Sequence, residues 1–186
     1  MQLLNKPFIL IRHGETPLNR DRLIGGRTDV SLTSKGRAQA EKTRSLLAQY
    51  EFDAVITSTL TRAKETADIL FPHAHKIIIA GLKERDWGDL EMKPQSLQTP
   101  YEETPPNGES WGDFCQRIVD ALNLILQQYE QPVVVAHSGV FRVIWQLALG
   151  SPYGERVGNV EPYFICASDE NQPWKILSLL QLEKEI

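Results

Sequence analysis

The sequence predicts a three-layer α/β/α sandwich, with a mostly parallel sheet, helices on both faces and an antiparallel edge. Three observations predict it. Short unbroken apolar runs recur at Phe8 to Ile11, in "DAVITS" at residues 53–58 and in "PVVVA" at residues 132–136, the pattern of strands buried on both faces. Stretches with helical spacing lie between them, and that alternation implies βαβ units. Near the C-terminus, "YFICASDENQPWKILSLLQL" reads as two strands around a turn at "DENQP", an antiparallel addition at the sheet edge.

The first apolar run follows Pro7 and ends on Arg12 and His13. A helix is predicted over "LTSKGRAQAEKTRSLLAQY", with Thr33 and Ser34 as candidate N-caps and Ala38, Thr43 or Leu46, Leu47 and Tyr50 along one face. "TRAKETADIL" is the next helix, after the second strand. "KIIIAGLKERDWGDLE" begins as a strand and leaves it at Gly81. Residues 92–108, "MKPQSLQTPYEETPPNG", hold four prolines and little periodicity. They predict a surface excursion of the kind that covers sites. A last long helix, "SWGDFCQRIVDALNLILQQY", opens on Ser110 with Asp113 three residues on, a start resembling a capping box.

With 186 residues, 41% hydrophobic and 24% charged, the chain is predicted to form one globular domain over residues 1–186, with the excursion at about 90–109. A net charge of −4 gives no general attraction to nucleic acid or an anionic membrane, so neither is expected as a partner, and any anion site must come from local arginines. Cys115 and Cys166 are far apart and outside any CxxC spacing. They are expected to be core thiols in a reducing compartment. The start "MQLLNKPFILIRHG" is broken by Asn5, Lys6 and Pro7, too soon for a secretory signal, and no run approaches the ~20 apolar residues of a membrane span. A cytoplasmic location is expected.

Ligands of open α/β sheets bind beyond the carboxyl ends of the strands, where the strand order reverses. The first strand runs out into Arg12-His13-Gly14-Glu15-Thr16, the second into Ser58-Thr59-Leu60-Thr61-Arg62, the third into Glu84-Arg85 and the fourth into His137-Ser138-Gly139. Singly, each has an ordinary explanation: a hydrogen-bonded structural histidine, an arginine that snorkels to solvent, a glutamate in a solvated charge run. Two arginines and two histidines aimed at one crevice, however, need an anionic partner, and phosphate suits the arginine fork. Flanking arginines would repel a divalent cation, and the one HxH, His73 and His75, sits beside Pro72 without an acidic neighbour. No metal, other cofactor or P-loop is predicted.

"RHGET" followed by Asn19, "GGRTDVSLTSKGRAQA", "SxLxRAxETA" at residues 58–67, "LKERDWGDLE", "PPNGES" and "VVVAHSG" occur in that order from Ile9 to about Gly150. Together they resemble the histidine phosphatase superfamily, the phosphoglycerate mutase-like proteins. The short form and "GDLE" look most like alpha-ribazole phosphatases and small broad-specificity phosphatases. The resemblance implies a phosphoglycerate mutase-like fold with His13 as a nucleophile that is phosphorylated in turnover. It implies that Arg12, Arg62 and His137 hold the phosphoryl oxygens and that Glu84 is general acid and then base. Asn19 and the backbone at Gly25 and Gly26 match positions that add donors. Ser138 stands where the family often has glycine, which leaves a backbone contact.

The implied activity is metal-independent hydrolysis of a small phosphorylated metabolite, with alpha-ribazole phosphate among the candidates. A phosphoglycerate-type mutase and a non-catalytic phospho-ligand binding module are the alternatives. Only about twenty residues separate "GDLE" from "GES", whereas mutases of the family look longer around the site, so an open pocket and transfer to water are expected. The chemistry asks for a hydrogen bond from the second ring nitrogen of His13 to a backbone carbonyl. It also asks for a sharp turn at Gly14 and a protonated His137. Trp87 is expected in the core or as a water-excluding wall, and Arg27 and Lys93 as surface charges or contacts to a further anion. Monomer and homodimer are both open.

Overall fold

Residues 1–168 and 173–182 are described by the computed structural model. The apolar runs form the centre of one six-stranded sheet: β1 (Phe8–Arg12), β2 (Ala54–Thr57), β3 (Lys76–Ile78), β4 (Pro132–Ala136), β5 (Pro162–Ala167) and β6 (Trp174–Ser178). Their order is β3-β2-β4-β1-β5-β6. β1 to β4 are parallel, while β5 runs antiparallel to both β1 and β6. This is the mixed sheet the sequence predicts; the residues of its "DENQ" turn, 169–172, lie outside the described ones.

The described residues also form six α-helices: α1 (Pro17–Arg20), α2 (Ser34–Leu47), α3 (Thr61–Leu70), α4 (Trp111–Gln128), α5 (Ser138–Leu149) and α6 (Leu179–Leu182). Alternation along β1 explains the layers. Phe8 and Leu10 pack with Phe114, Ile118 and Leu122 of α4 and Val140 and Ile144 of α5. Ile9 and Ile11 face the other way, onto Ala40 and Leu47 of α2 and Ala67 and Leu70 of α3. Each fully buried aliphatic side chain contributes about 1.5–3 kcal/mol, so α4, which buries Phe114, Ile118 and Leu122 completely, is a principal prop of the sheet.

Local signals resolve in detail. Thr33, not Ser34, caps α2, accepting from Gly36 N. The buried face of that helix is Gly36, Ala40, Leu46 and Leu47, with Ala38 exposed, because the helix is turned to bring Gly36 against the loop after β1. Ser110 caps α4, but Asp113 bonds its hydroxyl rather than its backbone. A reciprocal capping box occurs instead at Thr16 and Asn19. Among the described residues no helix is long and apolar enough to cross a membrane. Cys115 is buried, and Cys166 is half-buried on β5 rather than in the core.

Candidate active site

The strand order reverses between β1 and β4, and their final rungs assemble the site. Arg12 pairs with Ala136, and His13 N donates to Ala136 O at 3.0 Å. The residues that follow, His13 and His137, therefore stand with ring centroids 5.3 Å apart. His13 Nδ1 lies 2.7 Å from Gly14 O. A carbonyl only accepts, so Nδ1 carries the proton and Nε2 keeps its lone pair. Burial pushes the His13 pKa well below its ordinary value, and Arg62 and Arg12 push the same way. The imidazole is thus neutral at pH 7.

Gly14 serves a close approach rather than a sharp turn. Its φ is not positive, but a Cβ there would stand 2.6 Å from Gly36 O of α2. Gly14 N donates to Thr66 Oγ1 on α3 at 3.0 Å, and Asn159 Nδ2 donates to His13 O at 2.7 Å. The nucleophile candidate is therefore held by α2, α3 and the loop before β5 as well as by its own strand.

Two cations flank it. Arg12 is almost wholly buried; its Nη1 donates to Val157 O at 3.0 Å, while its Nε is buried without a protein partner. Burial lowers the Arg12 pKa to about 10, which still leaves it cationic. Arg62, in the first turn of α3, donates from Nη2 to Gly26 O at 2.7 Å and from Nη1 to Thr28 O at 2.9 Å. Two of its five donors are thereby fixed and the rest stay available. His137 Nε2 meets Ser58 Oγ at 2.7 Å, and its Nδ1 is buried without a protein partner. The expected protonated His137 is not what this environment favours. Burial first, then Arg62, His13 and Arg12, drive its pKa well below the ordinary value. A neutral ring protonated at Nδ1, with Ser58 donating to Nε2, still offers one hydrogen bond.

Glu84 is buried, its Oε2 accepting from Gly139 N at 2.9 Å and its Oε1 from Arg85 N at 2.8 Å. Gly139 lies in the first turn of α5, so the carboxylate sits at the positive end of that helix. A Cβ at Gly139 would collide with Glu84 Oε1, and glycine is what admits the carboxylate.

Arg12, His13, Asn19, Gly25, Glu84 and Ser138 line one pocket of about 280 Å³, while Arg62 and His137 are buried beside it. Asn19 Oδ1 accepts from Thr16 N and Asn159 Nδ2, which leaves its Nδ2 as the group to donate. Gly26 is not in the lining; its carbonyl holds Arg62. Trp87 is both buried and part of the pocket wall. Arg27 binds Glu84 O and Glu109 rather than facing the pocket, and Lys93 is exposed. Among the described residues no group of three His, Cys, Asp or Glu side chains is placed to hold a metal ion.

Sequence reasoning missed three supports. Glu91, within "GDLE", accepts from Arg27 N, Trp87 N, Thr28 N and Thr28 Oγ1. It clamps the loop whose carbonyls hold Arg62. Arg85 is fully buried and donates to the carbonyls of Glu109, Tyr101 and Glu103 at 3.1, 2.9 and 2.8 Å. Its guanidinium lies 4.6 Å from the Trp87 ring centroid. It fastens the proline-rich excursion, which follows a short 3₁₀ turn at Gly88–Leu90 and holds another at Gln95–Leu97. Arg117 of α4 makes a two-pronged contact with Glu109, both prongs at 2.8 Å, and donates to Gly81 O and Lys83 O. That fixes the segment leading into Glu84.

Fold and site together define an α/β protein with a pocket at its switch point built on buried arginine and histidine side chains. The family model for the histidine phosphatase superfamily (branch 1) matches residues 8–160, and the chain belongs to that superfamily. It is 33% identical over 160 residues to the adenosylcobalamin/alpha-ribazole phosphatase of Escherichia coli, covering 77% of this chain and 79% of that one. It is 31% identical over 158 residues to a 2,3-bisphosphoglycerate-dependent phosphoglycerate mutase of Cytophaga hutchinsonii, covering 74% of each. The solved alpha-ribazole phosphatase of Shigella flexneri superposes with a TM-score of 0.76 at 30% identity, over 92% of this chain and 95% of that one.

Proposed function

We propose that the protein is a metal-independent phosphomonoester hydrolase that works through a phosphohistidine at His13. The observation that carries this is the neutral His13, with its Nδ1 proton on Gly14 O and Nε2 free, between two buried arginines. Nε2 attacks phosphorus and the bond to the leaving oxygen breaks. The Gly14 carbonyl receives the Nδ1–H of a ring that becomes positive as the N–P bond forms. Arg12, Arg62 and the Nδ1–H of His137 bind the phosphoryl oxygens as charge spreads over them, assisted by Asn19 and the backbone at Gly25 and Ser138.

Glu84 supplies a proton to the leaving alkoxide and then takes one from the water that cleaves the N–P bond, restoring His13 and releasing phosphate. Two arginines and a histidine donor, at about 1.5–3 kcal/mol per charge-assisted hydrogen bond, supply a useful part of the 8–23 kcal/mol typical of enzymes. A pocket of about 280 Å³, at the small end for ligand sites, suits a small phosphorylated metabolite. The short excursion favours water over a second phosphoryl acceptor.

The test is release of phosphate from p-nitrophenyl phosphate with EDTA present, for wild type and His13→Ala. Turnover that survives the chelator and vanishes in the variant is expected. A folded wild type without turnover moves the reading to a mutase or a phospho-ligand binding module.

A further inference from the structure

The tautomer of His13 rests on one carbonyl, Gly14 O, 2.7 Å from Nδ1. If that carbonyl turns away, the proton is free to move to Nε2 and the attacking lone pair is lost. What aims the carbonyl is therefore part of the chemistry. Gly14 O belongs to the Gly14–Glu15 peptide, and because that unit is planar and trans, fixing the Glu15 N–H fixes the Gly14 C=O. Glu15 N donates to Gln39 Oε1 at 3.0 Å. Gln39 is half-buried on α2, one turn beyond Gly36, where a Cβ would stand 2.8 Å from Glu15 N. Glycine at 36 brings the helix close, and the next side chain on that face supplies the acceptor.

The peptides on either side are held as well. Before it, His13 O accepts from Asn159 Nδ2 at 2.7 Å and Gly14 N donates to Thr66 Oγ1 at 3.0 Å. Thr66 is fully buried, and its hydroxyl donates to Arg62 O at 2.7 Å. After it, Glu15 O accepts at 2.9 Å from the backbone N of Thr33, the N-cap of α2. Three successive peptides are thus tied to α2, α3 and the loop before β5. In the middle one the carbonyl is given to the ring, so Gln39 supplies its tie from outside the loop.

We propose that Gln39 is a positioning residue for the reaction: by fixing the Gly14–Glu15 peptide it holds His13 in the tautomer whose Nε2 attacks, while Thr66 holds the adjoining peptide to the same end. The inference rests on the phosphatase reading. It concerns which ring nitrogen carries a proton, and that is measured without turnover, so the two fail separately.

The test compares Gln39→Leu, a good helix former without an acceptor, with Gln39→Glu, which keeps an oxygen for Glu15 N. Three quantities are read: the His13 tautomer by ¹⁵N NMR of histidine-labelled protein, the rate of the first p-nitrophenolate burst, and the affinity for inorganic phosphate. The chain holds four histidines, so the His13 ring is identified by its absence from His13→Ala. Wild type is expected to show the Nδ1–H tautomer alone. Gln39→Leu should show both tautomers and a burst slowed about tenfold, the cost of a part-buried N–H left without its partner. Phosphate affinity, set by Arg12 and Arg62, should stay within about twofold. Gln39→Glu should restore the single tautomer and most of the rate. Thr66→Val against Thr66→Ser repeats the comparison from α3, with the loss confined to the variant that lacks the hydroxyl. A wild-type tautomer and burst in Gln39→Leu, or a loss that Gln39→Glu shares in full, overturns the role of Gln39 while leaving the phosphatase reading intact. A folded wild type with the expected tautomer and no turnover overturns the phosphatase reading instead.

Discussion

Gly139→Ala is a one-methyl test of how Glu84 is held. The added Cβ would collide with Glu84 Oε1 and stand 2.9 Å from Phe114 Cζ. Phe114 is locked in the core, so the carboxylate is the group that moves, and the 2.9 Å bond from Gly139 N to Oε2 is lost with it. A displacement on the order of 1 Å costs about 100-fold in rate when it misplaces a reacting group, which falls within the general-acid contribution of 10²–10⁴-fold. The loss should depend on the leaving group. Glycerol 3-phosphate, whose alkoxide needs a proton, should lose about 100-fold in kcat. p-Nitrophenyl phosphate, whose phenolate departs without one, should lose less than about tenfold. The assay is steady-state kinetics on both esters, with circular dichroism confirming the fold. Alkyl-ester turnover within about twofold of wild type would refute the placement of Glu84 as proton donor.

Two further outcomes follow from the site's supports and its buried histidines. Glu91→Gln weakens the clamp on Arg27 and Thr28, so the Gly26 and Thr28 carbonyls hold Arg62 less firmly. Inorganic phosphate should bind about tenfold more weakly by calorimetry, at the low end for a lost charged hydrogen bond, and unchanged binding removes Glu91 from the account. His13 and His137 stay neutral in the fold at pH values where the unfolded chain, titrating near 6.5, takes up protons. Their contribution to stability is thus complete above about pH 6.5 and drains as pH falls below it. Between pH 7.5 and 5.5 stability should therefore fall, read from urea midpoints. Added phosphate should restore part of the loss, and a stability flat across that window contradicts neutral burial.

What was legible in the sequence had side-chain signatures. Runs such as "FILI" and "PVVVA" announced strands buried on both faces, and the rule that ligands gather at the carboxyl ends of such strands put Arg12, His13, Arg62, Glu84 and His137 together before any geometry was known. α5 escaped notice because "SGVFRVIWQLAL" is mostly apolar, its polar stripe reduced to one residue per turn at Ser138, Arg142 and Gln146. Its one clear signal was Gly150, which ends the helix at φ 71°, a conformation glycine adopts readily. The supports of the site escaped for a different reason. Arg85, Arg117 and Asn159 act by donating to backbone carbonyls 16 to 146 residues away in sequence, and a carbonyl acceptor leaves no trace in residue type. The excursion therefore read as loose polar chain, although Arg85 fastens it from beneath.

The central claim is that His13 carries the phosphoryl group during turnover. Its most direct test is rapid quenching of the enzyme with p-nitrophenyl phosphate into alkali, followed by peptide mass spectrometry. One acid-labile phosphoryl group per chain is expected on the peptide containing His13, appearing and decaying at rates compatible with turnover and absent from His13→Ala. Full steady-state turnover with no phosphoprotein, or with the label on another residue, would contradict it.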